Sequence, residues 1–332
     1  MNNSNRLLAL LLALVMALPL AACDGNAEGS VSDGVSSAFP SETADPINSP
    51  QGDTSPPGSA DESAAPDVSV PTAAPADVAG GHSQRRDVTQ VDFGAVASLS
   101  NANIPYGFNN SDRDALNRPN GVHYYESLYG RYSTDYFVDT EEKIIYLTMD
   151  EGYENGCTPT ILNTLKDKGV HATFFVTKQF VDEHPELVRQ MIEEGHTIGS
   201  HSCSHPSGGL PQIGAQGVYE DLKRLDDMVY EQFQYQMDLF RYPEGVASEQ
   251  SLALIGQMGY TSVFWSFAYR DYVTNDQMDP AAALDQCLNY IHPGAIYLLH
   301  AVSTTNTEIL GDFIDGARAL GYEFGSPSDL VK

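Results

Sequence analysis

The sequence predicts an α/β fold built on a parallel sheet and preceded by a disordered tether. Three observations predict it. From about Asn101, short apolar runs alternate with segments of helical spacing over roughly 190 residues, the pattern of a parallel sheet with crossover helices. Before about Ser98 the chain is rich in Ser, Ala, Pro, Gly and Asp, and cannot bury enough apolar surface to offset chain entropy. Polar residues able to do chemistry fall just after the apolar runs, one or two per run.

In chain order, the first element is an export signal. Arg6 precedes an apolar run from Leu7 to Leu20, short for a membrane span. The run ends in Leu20-Ala21-Ala22-Cys23. Small residues before a cysteine at this distance resemble a bacterial lipoprotein signal, in which Cys23 is lipidated and becomes the mature N-terminus. An ordinary cleaved signal that happens to hold a cysteine is the other reading. Acyl chains on Cys23 would hold an extracytoplasmic protein at the membrane. Residues 24–98 are read as the tether, with runs such as Pro71-Thr72-Ala73-Ala74-Pro75, and residues 99–332 as the domain. Strands are predicted at 143–149, 172–176, 197–200, 239–240, 262–265 and 295–299. Helices fit between or after them at 158–168, 185–194, 220–231, 248–258, 280–291 and 307–320, the first two stopped by Gly169 and Gly195. An open doubly wound sheet and a closed barrel both satisfy this order.

Against 45 acidic residues there are 17 Lys and Arg, a net charge of -28, which argues against a nucleic-acid partner because a phosphate backbone needs clustered bases. After Cys23 three cysteines remain, Cys157, Cys203 and Cys287; an odd number implies no disulfide framework, and small buried residues are expected.

In either α/β architecture the carboxyl ends of the strands share one edge, where sites form. Asp150 and Glu151, His201 and His205, Arg241, Asp271 and His300 all fall at such ends, so they are expected to form one cluster. His201 and His205 stand four apart; in a helical turn both imidazoles would face one divalent metal, and otherwise they are solvated or capping residues before Pro206. Of Asp150 and Glu151, one carboxylate would bind metal and the other take a proton from water, unless the pair only caps a turn before Gly152. His300 would protonate a leaving amine, or be a core histidine bonded to backbone. Arg241 and Asp271 would hold base and acid in place, or form surface ion pairs.

These residues resemble the polysaccharide deacetylase (NodB-homology) family. Its motifs occur in family order: Thr148-Met149-Asp150-Glu151-Gly152, His201-Ser202-Cys203-Ser204-His205, Arg241-Tyr242-Pro243-Glu244-Gly245, Trp265 through Asp271-Tyr272, and Leu298-Leu299-His300. The resemblance implies a distorted (β/α) barrel with fewer than eight repeats. It implies Asp150 as general base, Glu151, His201 and His205 as the shell of a divalent metal, and His300 as general acid. Arg241 would orient Asp150 and Asp271 would tune His300. Leu298 would line the acetyl-methyl pocket, Trp265 would face substrate, and the backbone N–H near Glu244 would stabilise an oxyanion. Zinc is the expected ion, with cobalt or another divalent ion as alternatives.

A narrower likeness, carried by 124–136, 143–148, 152–156 and 292–300, is to delta-lactam-biosynthetic de-N-acetylases. These act on peptide-stripped N-acetylmuramic acid, on the route to the muramic lactam of spore cortex. The implied function is hydrolysis of the N-acetyl group of an amino sugar in peptidoglycan, with glycan strands as partner. Deacetylation of N-acetylglucosamine or an exopolysaccharide is the alternative, and a non-catalytic wall-binding lipoprotein on the same fold is the reading from another class. Two positions depart from the pattern. Glu151 replaces the usual Asp, or the Asn of that branch, and Glu244 stands where the branch tends to carry Arg. Arg270, beside Asp271, is expected to supply the missing positive charge to a substrate carboxylate.

Overall fold

The structure, a computed structural model, describes residues 81–82, 84–88 and 90–332. The export signal, the lipidation candidate Cys23 and most of the expected tether lie outside the described residues. In chain order the strands are β1 (Gly81–His82), β2 (Ile104–Pro105), β3 (Thr134–Asp135), β4 (Ile144–Glu151), β5 (Thr173–Val176), β6 (Thr197–Ser200), β7 (Gln236–Met237), β8 (Leu239–Phe240), β9 (Val246–Ala247), β10 (Thr261–Val263), β11 (Ala295–His300) and β12 (Glu323–Phe324). The helices are α1 (Phe93–Ala97), α2 (Asn120–Tyr129), α3 (Thr158–Lys168), α4 (Lys178–Glu183), α5 (Pro185–Glu193), α6 (Gly214–Phe233), α7 (Glu249–Gln257), α8 (Pro280–Asn289) and α9 (Thr304–Ala319).

The main sheet runs β11-β4-β5-β6-β8-β10-β3, with β12 also on β4, and its pairings are parallel. Parallel strands covered on both faces bury nearly every residue, so they read as continuous apolar runs. β4, β5 and β6 do so along almost their whole length. The sheet curls until its ends meet. Beyond β10 the chain crosses to β11, where Ser266 and Phe267 donate to Ile296 O at 3.0 and 3.2 Å and Leu298 donates to Phe267 O at 2.9 Å. This seam makes the sheet the distorted barrel implied above. It also ends β10 at Val263, short of the expected 265, because after Phe264, whose N–H still donates to Asp135 O next to β3, the residues leave for β11.

Helix ends follow local chemistry. Gly169 caps α3 with φ 62°, in the left-handed region open to glycine. Ser248 and Ser251 form a reciprocal capping box on α7. α6 starts well ahead of the predicted 220 and ends two residues past 231. α1, α2, α4, β3 and β12 are short or atypical elements that the pattern did not resolve.

Part of the chain ahead of the expected boundary at 98 lies against the domain. Gly81–His82 pairs antiparallel with β7, Arg85 ion-pairs with Asp227, and Arg86 pairs with Asp238. Asp92 caps α1, and Val88 and Val96 are buried. Polar composition concealed this docking because two arginines and a few apolar anchors suffice for it. Cys157 and Cys287 are buried, as expected, and Cys203 is half-buried; each is a free thiol. No helix among the described residues is long and apolar enough to cross a membrane.

Gly294, at the turn into β11, has φ 74°, and an added Cβ would sit 1.8 Å from Val138 O. Left-handed strain and this clash should together cost Gly294→Ala at least about 2 kcal/mol. Urea unfolding should show a lower midpoint at unchanged slope; an unchanged midpoint would contradict the assigned turn.

Candidate active site

The carboxyl ends of β4, β6, β8 and β11 bring the expected polar residues together. Asp150, on β4, accepts from Arg241 Nη1 at 3.0 Å. Arg241 follows β8 and is fully buried; its other donors go to Val263 O at 3.0 Å and Phe264 O at 3.1 Å, and it lies 4.2 Å over the Phe175 ring. Burial opposes ionisation of Asp150, but the charges of His201, Arg241 and His300 outweigh it and hold the carboxyl below its usual range. His201 is itself pushed down to about 4 by burial, so near neutrality it adds little charge and Arg241 is the permanent cation bonded to Asp150.

On the neighbouring strand, His300 is the register partner of Asp150. Its Nδ1 lies 2.7 Å from Asp271 Oδ1, and its main-chain N–H donates to Oδ2 at 2.8 Å. Burial disfavours the imidazolium, but Asp271 prevails and raises the His300 pKa. The site therefore holds an ionised carboxylate beside a histidine inclined to keep its proton, the complement that general base and general acid require.

His201 and His205 meet, but not on a helix. Ser202 and His205 have φ of 69° and 41°, and this left-handed loop brings the rings to 5.0 Å between centroids. His201 Nδ1 is 3.0 Å from Arg241 O and so carries the proton, which leaves Nε2 with a lone pair 3.5 Å from Asp150 Oδ2. Two electron-rich atoms facing each other in a buried place fit an intervening cation.

Glu151 does not join them. Successive residues of a strand point to opposite faces, so with Asp150 inward Glu151 turns away under α3. There both its oxygens lie 3.4 Å from Thr158 Oγ1, and burial with the nearby Glu154 raises its pKa well above the carboxylate range. Among the described residues no group of three or more His, Cys, Asp or Glu side chains is arranged to hold a metal. Of the three residues expected around a metal, His201 and His205 stand together and Glu151 stands apart from them.

The remaining expected residues lie around this set at differing distances, with the Trp265 ring centroid 5.8 Å from the Arg241 guanidinium carbon. Trp265 is buried edge-on against Tyr106, and its carbonyl accepts the Tyr106 hydroxyl. Leu298 is buried at the seam. Glu244 adopts a left-handed φ of 57°, and its carboxylate accepts Gly208 N–H at 3.2 Å, tying the loop after β8 to the histidine loop. Arg270 is half-exposed and paired with Asp276 rather than with any member of the set.

Two buried residues were not anticipated. Asp221 of α6 accepts Cys203 N–H at 2.7 Å, Ser204 N–H at 2.9 Å and Ser204 Oγ–H at 2.5 Å, so it holds the histidine loop in shape. A signal was available, because Asp221 interrupts the apolar stripe of Val218, Leu222 and Leu225. Asn306 of α9 donates to Asp271 Oδ2 at 2.6 Å. It lies only six residues beyond His300, where the helix begins.

The polysaccharide deacetylase family model matches residues 137–263. Peptidoglycan-N-acetylmuramic acid deacetylase PdaA of Bacillus subtilis is 41% identical over 235 residues, 70% of this chain and 88% of that protein. The chain belongs to the polysaccharide deacetylase family. Among solved polysaccharide deacetylases, Bacillus subtilis PdaA, a family 4 carbohydrate esterase, superposes with TM-score 0.66 at 40% identity, over 70% of this chain and 98% of that one. A family 4 carbohydrate esterase from Bacillus anthracis superposes with TM-score 0.57 at 37% identity, over the same shares.

A raised His300 pKa means that the imidazolium is present below it and lost as pH rises through it. The alkaline limb of kcat/KM should therefore lie above the ordinary imidazole value of 6.5. Asp271→Asn removes the charge responsible and should move that limb to lower pH; a limb that stays in place would detach His300 from it.

Proposed function

We propose that this chain hydrolyses the N-acetyl group of N-acetylmuramic acid in peptidoglycan. It would act outside the cytoplasm, on glycan strands, from a membrane anchor at a lipidated Cys23. The observation that carries the reading is the pairing of Asp150 and His300 across β4 and β11, with opposite protonation preferences.

Asp150 takes a proton from a water molecule as the oxygen of that water adds to the acetyl carbonyl carbon. Arg241 keeps the carboxylate ionised and aimed. As the C–N bond breaks, His300 gives its proton to the leaving nitrogen, and acetate and a free amine result. Asp271 fixes Nδ1 of His300 and so leaves Nε2 to face the amine. His201 and His205 are the donors this chain offers a divalent cation, zinc in the first place, and Glu151 is not proposed as a third. When bound, such an ion supplies Lewis-acid polarisation of the amide carbonyl.

A second reading, N-acetylglucosamine as substrate, is favoured by the charges nearby. Glu244 presents a carboxylate, and Arg270 is already occupied by Asp276, so a muramic carboxylate must displace an internal partner. That exposed ion pair is worth at most about 1 kcal/mol, which a substrate carboxylate can replace.

The test is acetate release from intact peptidoglycan, from amidase-stripped peptidoglycan and from chito-oligosaccharide, each with and without chelator. Preference for the stripped polymer is expected, and preference for chito-oligosaccharide would move the assignment to N-acetylglucosamine. Asp150→Asn should lower kcat by on the order of 10²- to 10⁴-fold; undiminished turnover would remove the base assignment.

A further inference from the structure

We infer that Asn306 is a positioning residue for the Asp271–His300 pair, with Tyr269 as its support. The inference rests on the proposed deacetylase reading for its kinetic consequence, and on geometry alone for the contact itself. Asp271 and Asn306 are each about 1% exposed, so neither can exchange a lost partner for water. The Asn306 amide nitrogen donates to Asp271 Oδ2 at 2.6 Å and to the main-chain oxygen of His300 at 3.1 Å. An ionised carboxylate and a carbonyl only accept, so the nitrogen must face both, and the orientation of the amide is fixed by chemistry. Its oxygen then accepts the hydroxyl of Tyr269.

The contact also belongs to a closed circuit. Asn306 N–H donates to Ser303 Oγ at 3.0 Å, Ser303 Oγ–H to Gln277 Oε1 at 2.5 Å, and Gln277 Nε2 back to Asp271 O at 2.7 Å. The segment carrying Asp271 and the first turn of α9 are thereby fastened to each other. Asp271 has no contact of its own with α9 except through Asn306 among these bonds. Without that amide, Oδ2 keeps only the His300 N–H, and the carboxylate is free to rock about its bond to His300 Nδ1. The imidazole would then point Nε2 over a range of directions instead of one.

A residue that only caps α9 and one that aims the acid differ in a double-mutant cycle. Asn306→Ala in the otherwise intact chain should lower kcat about tenfold with KM changed less than about twofold. The same substitution in an Asp271→Ala background should change kcat by less than about twofold, because the carboxylate it acts through is gone. Equal losses in both backgrounds, or loss in KM alone, would overturn the inference. Should Asn306→Ala not fold, Tyr269→Phe carries the same test, with a smaller loss expected under the same criterion. Nitrogen-15 NMR gives a readout independent of turnover. The His300 Nδ1–H proton should stay downfield in the intact chain and move upfield or broaden in Asn306→Ala. A resonance that does not move overturns the inference, even if acetate release shows the deacetylase reading itself to be wrong.

Discussion

The buried guanidinium of Arg241 ties the catalytic end together. Its side-chain donors reach β4 through Asp150 and the end of β10 through Val263 and Phe264, while its main chain donates to Ser200 of β6 and accepts from His201. Desolvating such a charge costs several kcal/mol, and breaking a buried pair from either side typically costs about 3–5 kcal/mol. Only a planar fork with several donors can satisfy acceptors in so many directions; a lysine would leave some of them bare. The Asp150 carboxylate is thus kept charged and aimed by the same atoms that hold strand ends in register.

Around this tie, like groups are driven apart in protonation. Asp150 and Glu151 are chain neighbours, yet one faces a guanidinium and the other faces Glu154 in a dry pocket, so one favours the charged form and the other the neutral form. His201 and His300 divide similarly, one pushed toward the neutral form by burial and the other pulled toward the charged form by Asp271. Environment rather than residue type assigns the roles, as in other acid–base sites.

Much of this was legible beforehand, and the reasons for the rest are physical. The apolar runs of β4, β5 and β11 are unmistakable because both faces of a parallel strand are covered, and the residues at their ends follow from the shared edge. Motif position sets Glu151 beside Asp150, whereas strand alternation sends its side chain to the other face, beside Thr158. The spacing of His201 and His205 leaves a helical turn and a solvated loop open, because the two left-handed residues that shape the loop and the Asp221 that holds it from α6 leave no mark in that spacing. Asn306 could be read only once α9 was known to start at Thr304, since a buried amide in a first helical turn has no periodic signature. β3, two residues long, carries too little pattern to be seen without its partner β10.

The barrel is not equally sewn all round. β4 and β11 share six register pairs, whereas 266–268 meet β11 through one bridge and three main-chain hydrogen bonds. Asp150 and Arg241 belong to the continuous part of the sheet, and Asp271 lies just beyond the thin closure, where its bonds to His300 and Asn306 carry the join. Gentle heating or mild denaturant would therefore part the weaker edge first, and proton donation would fail while proton abstraction was still in order. Such an enzyme would pass through a stage in which it activates water yet cannot release its product amine.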